Sequence, residues 1–380
     1  MGAQGARGAW TSGLGFVMAT AGAAIGLGNV WRFFYITGAN GGGLFVLIYF
    51  ASIALVGLPI MIAEIMIGRS TQRSTVTAFK SLTGPRSPWV GLGWLGICGA
   101  FLVLSFYCVV SAWTLRYTVL AASGGLAGRG PDEIRALFGE LVAHPGQSLL
   151  WLAAFMFLTL AVVLKGVKDG LERWAKILMP ALFLLLGGLL VWSFFLDGFA
   201  AGSRFVFGLH AERLTGAGVL EALGHAFFTL GASLGELLTY SSYLDRKADF
   251  VSGSVVVAAL DTAVSLVCCL ILFSIIFSYS LEPSQGPGLV FVILPIAFVK
   301  MPGGVVLATL FFLALFFAAL TSAISILEVS TAYFVDERGW RRSNATLFAT
   351  KMATALAIPC ALSSTNGFFG ASMQQLVSKN

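Results

Sequence analysis

Charge is what this sequence has least of. Only 11% of its 380 residues are Asp, Glu, Lys or Arg, 58% are hydrophobic, and the mean hydropathy is +0.90. Water-soluble domains carry about 25% charged residues, so a soluble globular fold is excluded and the chain falls in the membrane class. Histidine is nearly as scarce. His144, His210 and His225 have no partner ligand at helical spacing. Neither a metallohydrolase site nor a nucleophile–base pair is therefore legible, and an enzyme is not expected. The cysteines, Cys98, Cys108, Cys268, Cys269 and Cys360, all fall in apolar segments. That excludes a disulfide framework or metal cluster and leaves burial as small hydrophobes. No short-period repeat or low-complexity tract is present. Residues 1–13 are Gly-rich and lead into an apolar run too long for the core of a cleavable signal peptide.

Long hydrophobic runs take the place of what is missing. Spans are expected at about 14–34, 43–67, 92–122, 148–166, 174–196, 218–240, 250–278, 304–334 and 346–363. Each is expected to be helical, since a chain in hydrocarbon must satisfy its backbone groups within the segment. The fold class is an all-α polytopic membrane protein, one compact membrane domain over 1–380 with about nine helices. The larger connections are 123–147, 197–217 and 279–303, the last a candidate for a lid-like element. With the N-terminus in the cytoplasm, Arg7, Arg69, Arg73, Lys80, Arg86, Lys165, Lys168, Arg173, Lys176, Arg246, Lys247, Arg338, Arg341 and Arg342 lie inside and fewer basic residues lie outside. This asymmetry orients the chain in a plasma (inner) membrane. It also accounts for the net charge of +6 without nucleic acid as a partner.

Two spans contain glycine in the wrong place for a plain helix. The first reads G-A-A-I-G-L-G-N-V-W-R-F from Gly22, and the sixth reads F-F-T-L-G-A-S-L-G at 227–235. Glycine unwinds readily because it lacks a Cβ. Unwound backbone in a membrane is tolerated where its carbonyls and amides line a site. Interruptions at matching positions of two halves point to a transporter site. The other reading of the same glycines is close helix packing. Thr321 and Ser322 are adjacent hydroxyls in the eighth span, where hydroxyls usually bond the preceding helical turn. Asp261 is a carboxylate deep in the seventh, a functional suspect by position.

These stretches resemble the neurotransmitter:sodium symporter family, in particular its bacterial amino-acid members. N-G-G-G-L-F-V-L-I-Y at 40–49, S-F-Y-C-V-V-S-A-W-T-L at 105–115 and F-F-A-A-L-T-S at 316–322 extend the likeness, in order, over 7–363. The resemblance implies an inverted-repeat fold with broken first and sixth helices, a first repeat of about 10–196 and a second of about 218–363. It implies import of a small zwitterionic amino acid coupled to Na⁺ at two sites. The first would use Ala24, Asn29, Thr229 and Asp261. The second would use Gly22, Ile25, Ala318, Thr321 and Ser322. Substrate would lie among Ala23, Ala24, Leu27, Gly28, Val103, Tyr107, Phe228, Thr229, Gly231, Leu234, Ser322 and Ile326. The side-chain part of that set carries no charge, so a fairly large apolar amino acid is expected.

The resemblance further implies gate residues: Arg32 on one side, and Arg7 with Asp336 on the other, backed by Trp10, Ser242 and Tyr243. Glu64 would sit beside the broken sixth helix, either as a site residue or as a structural acid. A homodimer is the assembly to test for. Chloride is not expected to be required. Tyr49, Thr229 and Ser265 resemble part of a chloride site, but Asp261 stands for its asparagine and His225 for its glutamine, and a fixed carboxylate supplies the negative charge.

The chain departs from the family pattern at Phe34, at His225 (expected to be a hydrogen-bonded neighbour of the site), in the run 231–235, and at Glu236, an acid just past the break. The tail 364–380 is too polar to span, so the second repeat is expected to lack its last helix. That leaves Arg32 without the acid this helix would bring. A shortened or partial transporter fits this reading. The alternative is a transport-inactive homologue acting as a sensor or partner subunit.

Overall fold

The computed structural model describes residues 8–210, 213–232, 234–281 and 288–363. In chain order the helices are α1 (Gly13–Ala24), α2 (Gly28–Ala39), α3 (Gly43–Thr71), α4 (Thr75–Thr83), α5 (Val90–Ala122), α6 (Pro131–Ala143), α7 (Pro145–Leu164), α8 (Val167–Ser193) and α9 (Phe199–Phe207). After these come α10 (Gly216–Thr229), α11 (Glu236–Ser241), α12 (Val251–Tyr279), α13 (Leu289–Lys300), α14 (Gly304–Arg338) and α15 (Arg342–Leu362). Among the described residues, α3, α5, α7, α8, α12, α14 and α15 are long and apolar enough to cross a membrane. The α1–α2 pair makes one further crossing, bent by 54°. A second break separates α10 from α11, each too short to cross alone. Every apolar segment expected from sequence coincides with one of these helices or broken pairs. The three larger connections hold α6, α9 and α13, so the lid-like element of the third is a helix.

The centre of the bundle is α14. In its most apolar window 83% of residues are buried, against 33% for α3. It packs along α5 and also against α1, α8 and α15. Small residues let it do so. A Cβ on Gly22 would meet Thr321 Cβ at 3.0 Å and Met179 Sδ at 3.1 Å, so α1 lies backbone-close to α14 and α8. Lipid faces are equally apolar, with Leu184 and Phe195 among the most exposed side chains. Cys108, Cys268 and Cys269 are buried, but Cys98 is exposed on α5, which corrects its expected burial. In a membrane span an outward face is as apolar as the core, so cysteine is tolerated on either.

Candidate functional site

The two breaks define the site. α1 ends at Ala24 and α2 begins at Gly28. Gly26, between them, admits no side chain: a Cβ there would lie 2.8 Å from Ser322 Oγ and 2.9 Å from the Tyr107 hydroxyl. On the other side, Gly231 (φ +66°) and Gly235 (φ +78°) adopt left-handed backbone that glycine accepts most cheaply.

One oxygen cluster lies beside the first break. Asn29 on α2, Thr229 at the end of α10 and Asp261 in the middle of α12 are all buried. Asn29 Nδ2 donates to Asp261 Oδ1 (2.7 Å), Ser265 Oγ (2.9 Å) and Thr229 Oγ1 (3.0 Å). The Thr229 hydroxyl donates to the Asp261 carboxyl at 2.9 and 3.1 Å, and Tyr49 donates to Asp261 Oδ2 at 3.3 Å. Asn29 Oδ1 accepts from Gly26 N at 2.9 Å, which pins the broken segment to the cluster. Ala24 lines the same cavity as Asn29 and Thr229.

A second cluster joins α1 to α14. Ser322 Oγ lies 3.3 Å from the Gly22 carbonyl oxygen, 3.2 Å from that of Ile25 and 3.2 Å from that of Ala318. Thr321 Oγ1 donates to the Phe317 and Ala318 carbonyls, both at 3.0 Å. Thr321 therefore bonds its preceding turn, as hydroxyls in helices do, while Ser322 also reaches across to the broken helix. The first cluster offers amide, hydroxyl and carboxylate oxygens and the second carbonyl and hydroxyl oxygens, with no sulfur or imidazole among the residues named. That hard donor set fits an alkali cation.

Between the clusters lies a cavity of about 40 Å³. Ala23, Ala24, Leu27, Gly28, Val103, Tyr107, Phe228, Thr229, Gly231, Leu234, Ser322 and Ile326 all line it, together with Gly26, Asn29 and Glu236. That is room for a few waters at most, a water needing about 10–15 Å³ on this measure, so side chains or helices must move to admit an amino acid. Beyond it lies a cavity of about 470 Å³ that shares Leu27, Gly28, Val103, Tyr107 and Phe228 and adds Trp31, Arg32 and Phe106. The Phe228 ring stands between the two, with the Arg32 guanidinium 5.8 Å from its centroid.

Comparison with known proteins decides what this architecture is. The profile of the Sodium:neurotransmitter symporter family matches residues 7–129 and 133–377. The chain belongs to that family. The chain is 39% identical to the sodium-dependent transporter YhdH of Bacillus subtilis over 354 residues, which cover 93% of this chain and 78% of YhdH. It is 34% identical to a sodium-dependent transporter of Haemophilus influenzae, over 85% of this chain and 73% of that one. The crystal structure of MhsT in complex with L-phenylalanine superposes with a TM-score of 0.88 at 41% identity, covering 95% of this chain and 82% of MhsT. The inverted-repeat fold with broken first and sixth helices is therefore the fold of this chain, a multi-pass membrane protein of a sodium-dependent transporter family.

A polar network joins Trp10 to the segments around Tyr240 and Glu328. Trp10 N and Nε1 donate to the Tyr243 and Tyr240 carbonyls at 3.2 and 2.7 Å. Tyr243 Oη donates to Glu328 Oε1 at 2.6 Å, and Arg342 holds both Glu328 oxygens, at 3.0 and 2.6 Å. Ser242 Oγ donates to the Thr239 carbonyl at 2.6 Å. Asp336 Oδ2 accepts from Ser74 N at 2.8 Å, while Arg7 lies outside the described residues. Glu64 sits near Glu236 and lines a groove with Gly235 and Leu238.

Three acids have places in the structure that the sequence-derived roles did not give them. Glu328 is the buried partner of Arg342. Glu172, at the start of α8, accepts from Thr11 N (2.7 Å), Thr11 Oγ1 (2.6 Å) and Ser12 Oγ (3.2 Å), and from Lys176 Nζ (2.6 Å). Glu236 belongs to the cavity wall. The available signal was simple: each is an acid in or at the edge of an apolar run. His225 corrects its expectation. It is fully buried but stacks on Phe33 (5.5 Å, 21°) and tilts against Tyr49, and neither ring nitrogen has a hydrogen-bond partner among the described residues. The aromatic cage of Phe33 and Tyr49 takes the ring by its faces.

Proposed function

We propose that this chain is a sodium-coupled symporter that imports a large apolar amino acid by alternating access. The observation that carries the reading is the convergence of Asn29, Thr229 and Asp261 from three different helices on one side of the cavity, beside the break that frees the backbone around Leu27 and Gly28. Asn29, Thr229, Asp261 and the Ala24 carbonyl would hold one Na⁺. The Gly22, Ile25 and Ala318 carbonyls with Thr321 and Ser322 would hold a second. Bound cations would supply positive charge next to a substrate carboxylate. The amides at the start of α2 and the Tyr107 hydroxyl would orient that carboxylate.

The walls set the substrate class. Ala23, Val103, Gly231, Leu234 and Ile326 offer apolar surface, and MhsT, similar over 95% of this chain, was solved with L-phenylalanine. One methylene in such a pocket is worth only about 1–3 kcal/mol, so several apolar amino acids should compete. On this reading the chain carries no enzymatic activity, places its N-terminus in the cytoplasm, and works as one unit of two repeats, about 10–196 and 218–363. Uptake of labelled amino acids into proteoliposomes, with and without a sodium gradient, tests it. Equal uptake in potassium-only buffer, or preference for glutamate or lysine, would overturn it. Sodium-dependent binding without flux would favour a sensor or partner-subunit role.

A further inference from the structure

We infer that Glu236 is a specificity-determining residue whose carboxyl accepts a hydrogen bond from the far end of the substrate side chain. The preferred substrates are then aromatic amino acids that end in a donor, tyrosine or tryptophan, over phenylalanine. This deepens the proposed function and rests on it.

Glu236 is the first residue of α11, immediately past the second break, and it is 3% exposed. Its carboxyl faces the cavity opposite Gly231. A Cβ built on Gly231 would lie 3.9 Å from Glu236 Cδ and from each of its oxygens, so no side chain at 231 stands between the acid and the cavity. Ser325 Oγ on α14 donates to Oε2 and fixes the carboxyl's orientation. Oε1 accepts no hydrogen bond among the described residues, and no basic side chain pairs with the group. The walls that lead to it are apolar, formed by Ala23, Val103, Leu234 and Ile326.

An acceptor oxygen that opens onto the cavity can take a donor brought in by the ligand. A ligand with an apolar body and a donor at its tip matches this arrangement: the ring takes the walls and the phenol O–H or indole N–H takes Oε1. A neutral donor fits better than a cation. A cationic side chain would need an ionised carboxyl beside it, with both charges removed from water. A neutral donor needs only a lone pair.

The test is competition against sodium-dependent uptake of labelled phenylalanine in proteoliposomes, using tyrosine, O-methyltyrosine, tryptophan and lysine. Native protein, Glu236→Gln and Glu236→Ala are compared. One hydrogen bond to a carboxyl predicts that tyrosine competes about tenfold or more better than O-methyltyrosine in the native chain. The ratio should fall toward one in Glu236→Ala and be partly kept in Glu236→Gln. Because the readout is a ratio within each variant, a general loss of folded protein does not move it. Equal competition by tyrosine and O-methyltyrosine in the native chain overturns the inference, as does a ratio unchanged in Glu236→Ala. Stronger competition by lysine than by tyrosine overturns it too, since the carboxyl would then act as a counter-ion. In these cases sodium-dependent phenylalanine uptake still stands for the proposed function. Loss of all sodium-dependent uptake in the native chain removes both.

Discussion

Glu172 Oε2 accepts the backbone N–H of Thr11 at 2.7 Å, tying the start of α1 to the start of α8. The same carboxyl takes the Thr11 hydroxyl at 2.6 Å, and Ser12 caps α1 by accepting from Gly15 N at 3.1 Å. α1 is the N-terminal half of a broken helix, with a break at its other end, and this tie adds to its packing against α8, α12 and α14. Glu172→Gln keeps the size and removes the charge, and hydrogen bonds to charged groups are worth about 1.5–3 kcal/mol. Residues 8–15 should exchange their amide hydrogens faster in this variant. An unchanged exchange rate there would show that the tie is not what holds α1.

Removing the hydroxyls of Thr321 and Ser322 together, as Thr321→Ala with Ser322→Ala, should weaken the sodium dependence of substrate binding by at least about tenfold. Only carbonyls would then remain around the second cluster, and one lost polar ligand is worth about 1.4 kcal/mol or more. A sodium titration of substrate binding reads the effect. A curve identical to that of the native protein would remove this cluster from the ion sites.

Gly26→Ala should abolish substrate binding. Its Cβ would press on Ser322 Oγ at 2.8 Å and the Tyr107 hydroxyl at 2.9 Å, displacing two residues assigned to ion and substrate at once. Fold should survive, because the collision is with two side chains at a break rather than with a helix interior. Near-native binding with an unchanged melting temperature would mean that the break adapts.

Chloride should be dispensable. Asp261 places a carboxyl among Asn29, Thr229 and Ser265. Two anions about 4 Å apart repel by about 4 kcal/mol even at an effective dielectric near 20. Uptake should continue with gluconate in place of chloride, and Asp261→Asn should make it chloride-dependent. Native uptake that stops without chloride would refute the charge argument.

Arg342 is half-buried against Glu328, whose side chain is fully enclosed. Arg342→Ala leaves that acid without its partner and should cost about 3–5 kcal/mol of stability. Replacing both by methionine should recover most of it. Thermal unfolding in detergent compares the three proteins, and a single mutant as stable as the double would mean that Tyr243 alone satisfies Glu328.

Helices and breaks were legible in the sequence because their signals are local. An apolar run of 20 residues must be helical in lipid, and glycines in the middle of such a run announce where the helix fails. The motifs around Asn29, Thr229, Asp261, Thr321 and Ser322 further allowed a resemblance to name which residues should meet. The structure brings Asn29, Thr229 and Asp261 together, and Gly22, Ile25 and Ser322 together; their ions remain the proposal. Leu234 and Ile326 could be named as pocket wall by the same route.

What only the tertiary structure decided is which way each helix faces. In a soluble protein a polar face and an apolar face differ in sequence, but here the lipid-facing and core-facing sides of α5 or α12 are both apolar, so periodicity carries no direction. Glu236 therefore read as an acid near a break, and only the packing of α11 against α14 turned it into the wall opposite Gly231. Glu172 meets Thr11 across 161 residues and Tyr243 meets Glu328 across 85, pairings that no local pattern encodes. His225 looked like a hydrogen-bonding neighbour by its residue type. The rings of Phe33 and Tyr49, brought beside it from α2 and α3, made it a stacked one.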